Sequence, residues 1–215
     1  MATVKTKSKL RRSVKRVSRF RLPDKQALSD IFFQQEYLLF LEGSLEDFYA
    51  LDEQKAEYLD GGIVVMHSPA SVQHEEIFMD LATKLKNRVD KKKTGKVFGS
   101  RLTVVLGEHR FEPDIVFIAA DNPGQFTELE FIGAPDMIIE IVSKTSRDYD
   151  LKTKREIYQQ FRVKEIYFVD YTTGVVIADY LTEKGYTSHK IKKGVIASKV
   201  VEGFEVECYG KEEQE

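Results

Sequence analysis

The chain has 215 residues, a single cysteine, no tryptophan and a formal net charge of −2. That length buries one sizeable core and is short for two independent domains. No apolar run approaches the roughly 18 residues of a membrane-spanning helix, and the lone Cys208 excludes an intramolecular disulfide and any cysteine-cluster zinc site; a reducing cytoplasm fits that cysteine usage.

The charge is unevenly placed. Residues 1–25 hold ten Lys and Arg against one acid, Asp24, which leaves 23 cations and 34 anions for the rest. A basic arm on an acidic body suits a contact with a nucleic-acid backbone, and it equally suits a solvated tail. It lacks the apolar core of a secretory signal.

After the arm, residues 28–41 carry a dense apolar set, including Ile31, Phe32, Tyr37, Leu39 and Leu41, which reads as a helix packed on the body or on a second subunit. Segment 26–43 is therefore an apolar helical extension. Ser44-Leu45-Glu46-Asp47 has the form of a capping box that opens a short helix to about Leu51. Glu57-Tyr58-Leu59 and Ile63-Val64-Val65-Met66 flank Asp60-Gly61-Gly62, a hairpin signal. From Ser71 the residues Ile77, Phe78, Leu81, Leu85 and Val89 recur at helical spacing, and Lys91-Lys92-Lys93-Thr94-Gly95 closes that helix.

Residues 97–106 and 111–119 read as two strands joined by a turn at 107–109, and 121–136 reads as a long loop. A strand over 137–143 leads to a helix from Thr145-Ser146-Arg147-Asp148 to about Phe161. Strands follow over 165–171, 175–181 and 186–191, with a last short one over 200–206. This order of helices and strands predicts an α/β (α+β) fold in which a mixed β-sheet is flanked by helices.

Two acids stand out. Asp114 follows Pro113 at the head of Ile115-Val116-Phe117-Ile118, and Glu140 lies inside Met137-Ile138-Ile139-Glu140-Ile141-Val142. A charge in so apolar a strand is costly to bury without compensation. Two carboxylates on neighbouring strands supply the hard oxygens that Mg²⁺ or Mn²⁺ takes, with the Ile141 carbonyl as a third donor. Asp150, Lys154 and Tyr158 fall on one helical face, so Lys154 is the nearby ammonium that could hold a water or stabilise developing charge. The pattern suits cutting of a phosphodiester; a buried Glu140–Lys154 or Glu140–Arg147 ion pair is the structural alternative.

Pro113-Asp114 followed by Glu140-Ile141-Val142-Ser143 resembles the PD-(D/E)XK nuclease superfamily, and more narrowly the Uma-two family of restriction endonucleases. The narrower likeness takes in Glu57-Tyr58-Leu59-Asp60-Gly61, Ser68-Pro69, His74, Arg110 to Asp114, Tyr149-Asp150, Lys154, Tyr158 and Glu165 to Asp170, over about residues 44–207. The resemblance implies a restriction-endonuclease-like domain over 44–207, with Asp114 and Glu140 as metal ligands and Glu57 and His74 near the site. The superfamily pattern places a lysine two residues after the glutamate, where this chain has Val142; Lys154 on the following helix takes that place, with Lys144 and Lys152 as competitors. The expected function is a Mg²⁺- or Mn²⁺-dependent endonuclease acting on DNA, in the cytoplasm, away from membranes and as a homodimer. The charged segment 208–215 is a tail. The alternatives are a catalytically inactive nucleic-acid-binding or protein-interaction module on the same fold, and a hydrolase of another phosphate ester.

Overall fold

A computed structural model describes residues 15–17, 38–51, 55–59, 61–66, 70–192 and 194–208. In chain order the first elements are β1 (Lys15–Val17), β2 (Leu38–Glu42), α1 (Leu45–Tyr49), β3 (Ala56–Leu59), β4 (Gly62–Met66) and α2 (Val72–Lys92). Then come β5 (Gly95–Gly99), β6 (Thr103–Leu106), β7 (His109–Phe111), β8 (Ile115–Ala119), β9 (Gln125–Phe126), β10 (Glu130–Ile132) and β11 (Met137–Val142). A π-helical segment (Tyr149–Lys154) runs into α3 (Arg155–Gln160). The chain finishes with β12 (Glu165–Asp170), β13 (Val175–Thr182), β14 (Gly185–Ile191), β15 (Val195–Ala197) and β16 (Glu205–Glu207).

These elements form two compact units, Met1–Pro69 with Val105–Glu112, and Ala70–Val104 with Pro113–Glu215. The sequence points to one domain over 44–207, because no shift in composition marks a division that the chain crosses three times.

In the first unit β2 and β3 both pair antiparallel with β4, and β3 pairs antiparallel with β7. Leu39, Leu41, Phe48, Ala56, Tyr58, Ile63 and Val65 make its core. At the expected turn Gly61 has φ 81°. The predicted capping box at Ser44 is present: its Oγ accepts from Asp47 N–H, and the Asp47 carboxylate accepts from Ser44 N–H at 2.8 Å. One expectation is corrected here. Leu38–Glu42 is a strand rather than the end of a helix, because Leu39 and Leu41 are buried while Leu38 and Phe40 are only half-buried, a period of two. The rest of the expected 28–41 helix, and most of the basic arm, lie outside the described residues.

The second unit is built on a six-stranded sheet of order β14-β13-β12-β11-β8-β5, in which β11 and β12 are parallel and every other neighbour is antiparallel. Parallel neighbours need a crossover, and the π-helical segment with α3 provides it. β11 and β12 are buried along their whole lengths, which is why both read as near-continuous apolar runs. Ile77, Leu81, Leu85 and Val89 of α2 are buried in the same core as Ile115, Phe117, Met137, Ile139 and Tyr167. α2 starts where expected, with Ser71 Oγ accepting from His74 N–H, and stops at Lys93 in a left-handed conformation (φ 54°).

Four further boundaries differ from the sequence reading. The strand expected over 97–106 is two, β5 and β6, separated by a turn in which Arg101 N–H and Leu102 N–H both donate to Gly99 O. The one expected over 111–119 is also two, since Pro113 has no N–H to continue a ladder. The loop 121–136 contains the β9–β10 hairpin. Of 200–206 only the end is extended, as β16, which pairs with β15.

Candidate active site

The β11–β8 ladder ends with Ile139 opposite Ile115, and Glu140 and Asp114 are the next residues of the two segments beyond that pair. The two acids expected to act together therefore follow the same end of that strand pair. Asp114 is 5% exposed and Glu140 3%. The Asp114 carboxylate is fixed through Oδ2, which accepts from the backbone N–H of Ile141 at 2.8 Å. His74 Nε2 stands 3.5 Å from the same oxygen, and its Nδ1 is 3.2 Å from Glu75 Oε1. His74 reaches this place because it is the third residue of α2 and its backbone N–H is tied to the Ser71 cap.

The crossover after β11 brings the remaining groups. Lys154 Nζ lies 2.6 Å from Glu140 Oε1 and 3.7 Å from Asp150 Oδ1. The Tyr158 hydroxyl donates to the same Glu140 oxygen at 2.6 Å. Asp150 and Lys154 are 5% and 2% exposed, and the Tyr149 ring centroid is 5.8 Å from the ammonium. The segment Tyr149–Lys154 is π-helical, a wider turn found often at functional sites. The wide turn changes the angular offset at which α3 leaves the crossover, and Tyr158, four residues beyond Lys154, converges with it on one carboxylate.

Of the lysines that compete in the sequence, Lys144 is exposed and Lys152 pairs with Asp148 at the surface, whereas Lys154 is buried at Glu140. Arg147, the other cation proposed for Glu140, instead forms an ion pair with the buried Asp170. Asp148, the last residue of the expected Thr145–Asp148 start, is the N-cap of the π-helical segment, and Ser143 and Ser146 close the turn before it, Ser143 Oγ accepting from Ser146 N–H at 3.1 Å. Glu57 lies in β3 of the first unit, fully buried, and accepts from Glu112 N–H at 3.2 Å within that unit. Tyr158 has no role of its own in the sequence reading; its spacing from Lys154 on one helical face is the signal that could have placed it at Glu140.

Two buried carboxylates, Glu140 and Asp150, thus share one ammonium, and the buried Asp114 carboxylate is held separately by Ile141 N–H beside His74. Among the described residues no set of three or more His, Cys, Asp or Glu side chains forms a ready-made metal cage. The acids that follow the end of the β8–β11 ladder are Asp114 and Glu140. Mg²⁺ is commonly held by one or two carboxylates plus waters and substrate phosphates, so this donor set fits a hard divalent cation.

Comparison with known proteins gives a family and a fold. A family model described as "Putative restriction endonuclease", Uma2, matches residues 45–208. No curated protein matches the sequence. The fold is similar to the crystal structure of a protein from Anabaena variabilis ATCC 29413, described as "a putative nuclease belonging to DUF820", with a TM-score of 0.65 at 17% identity over 77% of this chain and 95% of that one. No helix among the described residues is long and apolar enough to cross a membrane. With a family match that covers 45–208, the chain belongs to the Uma2 family of restriction-endonuclease-like proteins and is nuclease-like in fold and kind.

Proposed function

We propose that this protein is an endonuclease that hydrolyses DNA phosphodiester bonds with Mg²⁺ or Mn²⁺, held by Asp114, Glu140 and the Ile141 carbonyl. One observation carries the reading: Asp114 and Glu140 are both buried just past one end of the β8–β11 ladder, and a buried Lys154 ammonium is 2.6 Å from Glu140. A divalent ion, when bound, neutralises charge on the phosphate oxygens and lowers the pKa of a water. The chain's own residues do the rest. Ile141 N–H fixes the Asp114 carboxylate, and the Tyr158 hydroxyl with the Lys154 ammonium fixes that of Glu140, so both acids are oriented before substrate arrives. Lys154 positions the attacking water and stabilises charge that grows on the phosphate. His74, beside Asp114, assists from the helix N-terminus. The basic arm adds salt-dependent, sequence-blind affinity for the DNA backbone. A cytoplasmic homodimer accompanies this reading.

The rival is an inactive binding module, and one observation favours it: the position where the superfamily pattern has lysine is Val142, which is fully buried and apolar. Plasmid nicking separates the two. Asp114→Ala and Glu140→Ala should each abolish divalent-ion-dependent nicking while DNA binding survives. Failure of the unaltered protein to cut duplex, branched or single-stranded DNA with either ion would leave the binding module.

A further inference from the structure

Away from the group just described, the second unit carries a cavity of about 610 Å³, within the size range of small-molecule sites. It lies at the far end of β8 from Asp114, five strand residues or roughly 17 Å away. It is likewise at the opposite end of α2 from His74. Its wall includes Lys93, Lys96, Asn122, Gly124 and Phe126.

Phe126 is 44% exposed although its cross-strand partner, Phe131, is fully buried. Its ring rests against Phe131 and Phe98, with centroids 5.0 and 5.4 Å away, so an open aromatic surface is held in a set orientation. Such a surface is a platform on which a base can stack. Lys96 Nζ lies over the same ring, 5.0 Å from its centroid, so a stacked base displaces this flexible ammonium toward the phosphate, and Lys93 follows Lys91 and Lys92 at the end of α2. The acid of the wall, Asp90, is already paired with Lys86 at 2.7 Å, so cations dominate.

The far wall is pinned. Asn122 donates to Ala134 O at 3.0 Å and to Asp136 Oδ2 at 2.7 Å, and accepts from Gly124 N–H at 2.8 Å. Asp136 is itself held by Ala119 N–H and Lys164. The cavity is therefore formed before any ligand arrives. Exposed Ile132 is on the other face of the hairpin, opposite Gln125, so the cavity combines one aromatic surface with cations rather than continuing a broad apolar patch.

We propose that this cavity binds a nucleotide, with the base stacked on Phe126 and the phosphate held by Lys93 and Lys96. The source is a free nucleoside monophosphate or an unpaired nucleotide of a DNA strand; the chemistry is shared, and the choice of nucleic-acid chemistry rests on the function proposed above.

The test uses the full chain in EDTA, so that no cleavage intervenes, with two fluorescent probes: etheno-AMP and a fluorescein-labelled oligothymidylate. Phe126→Leu should weaken binding roughly tenfold, as expected for loss of one stacked base, and Phe126→Tyr should retain it. The double variant Lys93→Ala/Lys96→Ala should reduce the salt slope of oligonucleotide binding by about one to two. Effects on both probes identify the free nucleotide, and effects on the oligonucleotide alone identify the unpaired strand. Absence of binding by the unaltered chain, or unchanged binding in the Phe126→Leu and lysine variants, overturns the proposal. Phe126-dependent binding by a protein that cuts no DNA would defeat the nuclease reading and keep this one.

Discussion

Lys154→Met removes the ammonium beside Glu140 while keeping a flexible apolar stem. Both residues are almost fully buried and their charges are 2.6 Å apart. Glu140 then keeps the Tyr158 hydroxyl and loses this counter-charge, and so does Asp150, 3.7 Å from the same ammonium. Breaking one side of a buried pair costs about 3–5 kcal/mol, and two affected carboxylates put this variant near the upper end, about 5 kcal/mol. Glu140→Gln leaves the ammonium facing Asp150, so its expected loss is nearer 3 kcal/mol. The double variant removes both charges, and its loss should fall short of the sum by about 2 kcal/mol or more, a coupling typical of residues in contact. Urea unfolding followed by circular dichroism on all four proteins measures this, with each transition fitted separately because the chain has two units. Losses that add within about 0.5 kcal/mol would refute a coupled buried pair. Nicking activity should stay absent in the double variant even where stability recovers, since the proposed chemistry needs both groups.

Tyr158→Phe deletes one hydrogen bond to a buried carboxylate and should cost about 1.5–3 kcal/mol in the same unfolding assay, with slower nicking by a protein that remains folded. Burial, and next the nearby Asp80, push the Cys208 thiol from 9.0 up to about 12. The folded state then holds a proton that the unfolded state gives up, so the stability linked to this thiol is intact below about pH 9 and is lost as pH rises to about 12. Urea midpoints measured across that window should fall less steeply in Cys208→Ala. Burial raises the Tyr167 hydroxyl as well, so a residual alkaline slope is expected in that variant. Removal of residues 1–25 should flatten the salt dependence of DNA binding; an unchanged slope would make the arm a plain tail.

Local signals were enough for much of the architecture. The Ser44 capping box, the turn at Gly61, the Ser71 cap and the lysine-rich end of α2 are short-range chemistry, and each stands where its residues put it. Strands that change partners were not legible. β5 and β6 are both apolar and extended, and nothing in Val97 to Leu106 announces that β5 pairs with β8 while β6 does not continue that ladder. The run at Leu38 to Leu41 was equally ambiguous, because four consecutive apolar residues satisfy a helical and a strand period alike, and only pairing with β4 chooses.

The candidate site divides along the same line. Two acids within apolar strands can be recognised from sequence, since burying a charge among Ile, Val and Phe calls for a reason. Helical spacing with Asp150 and Tyr158 points to Lys154, but Lys144 and Lys152 compete with it until the chain is folded. The parallel pairing of β11 with β12 forces the chain back over the sheet, and the π-helical turn in that return sets Lys154 and Tyr158 at Glu140 while Lys152 stays with Asp148 at the surface. The chain by itself thus determined which groups were chemically anomalous, through the local cost of their burial. Their convergence was decided by the crossover, a long-range constraint that no short window of residues contains.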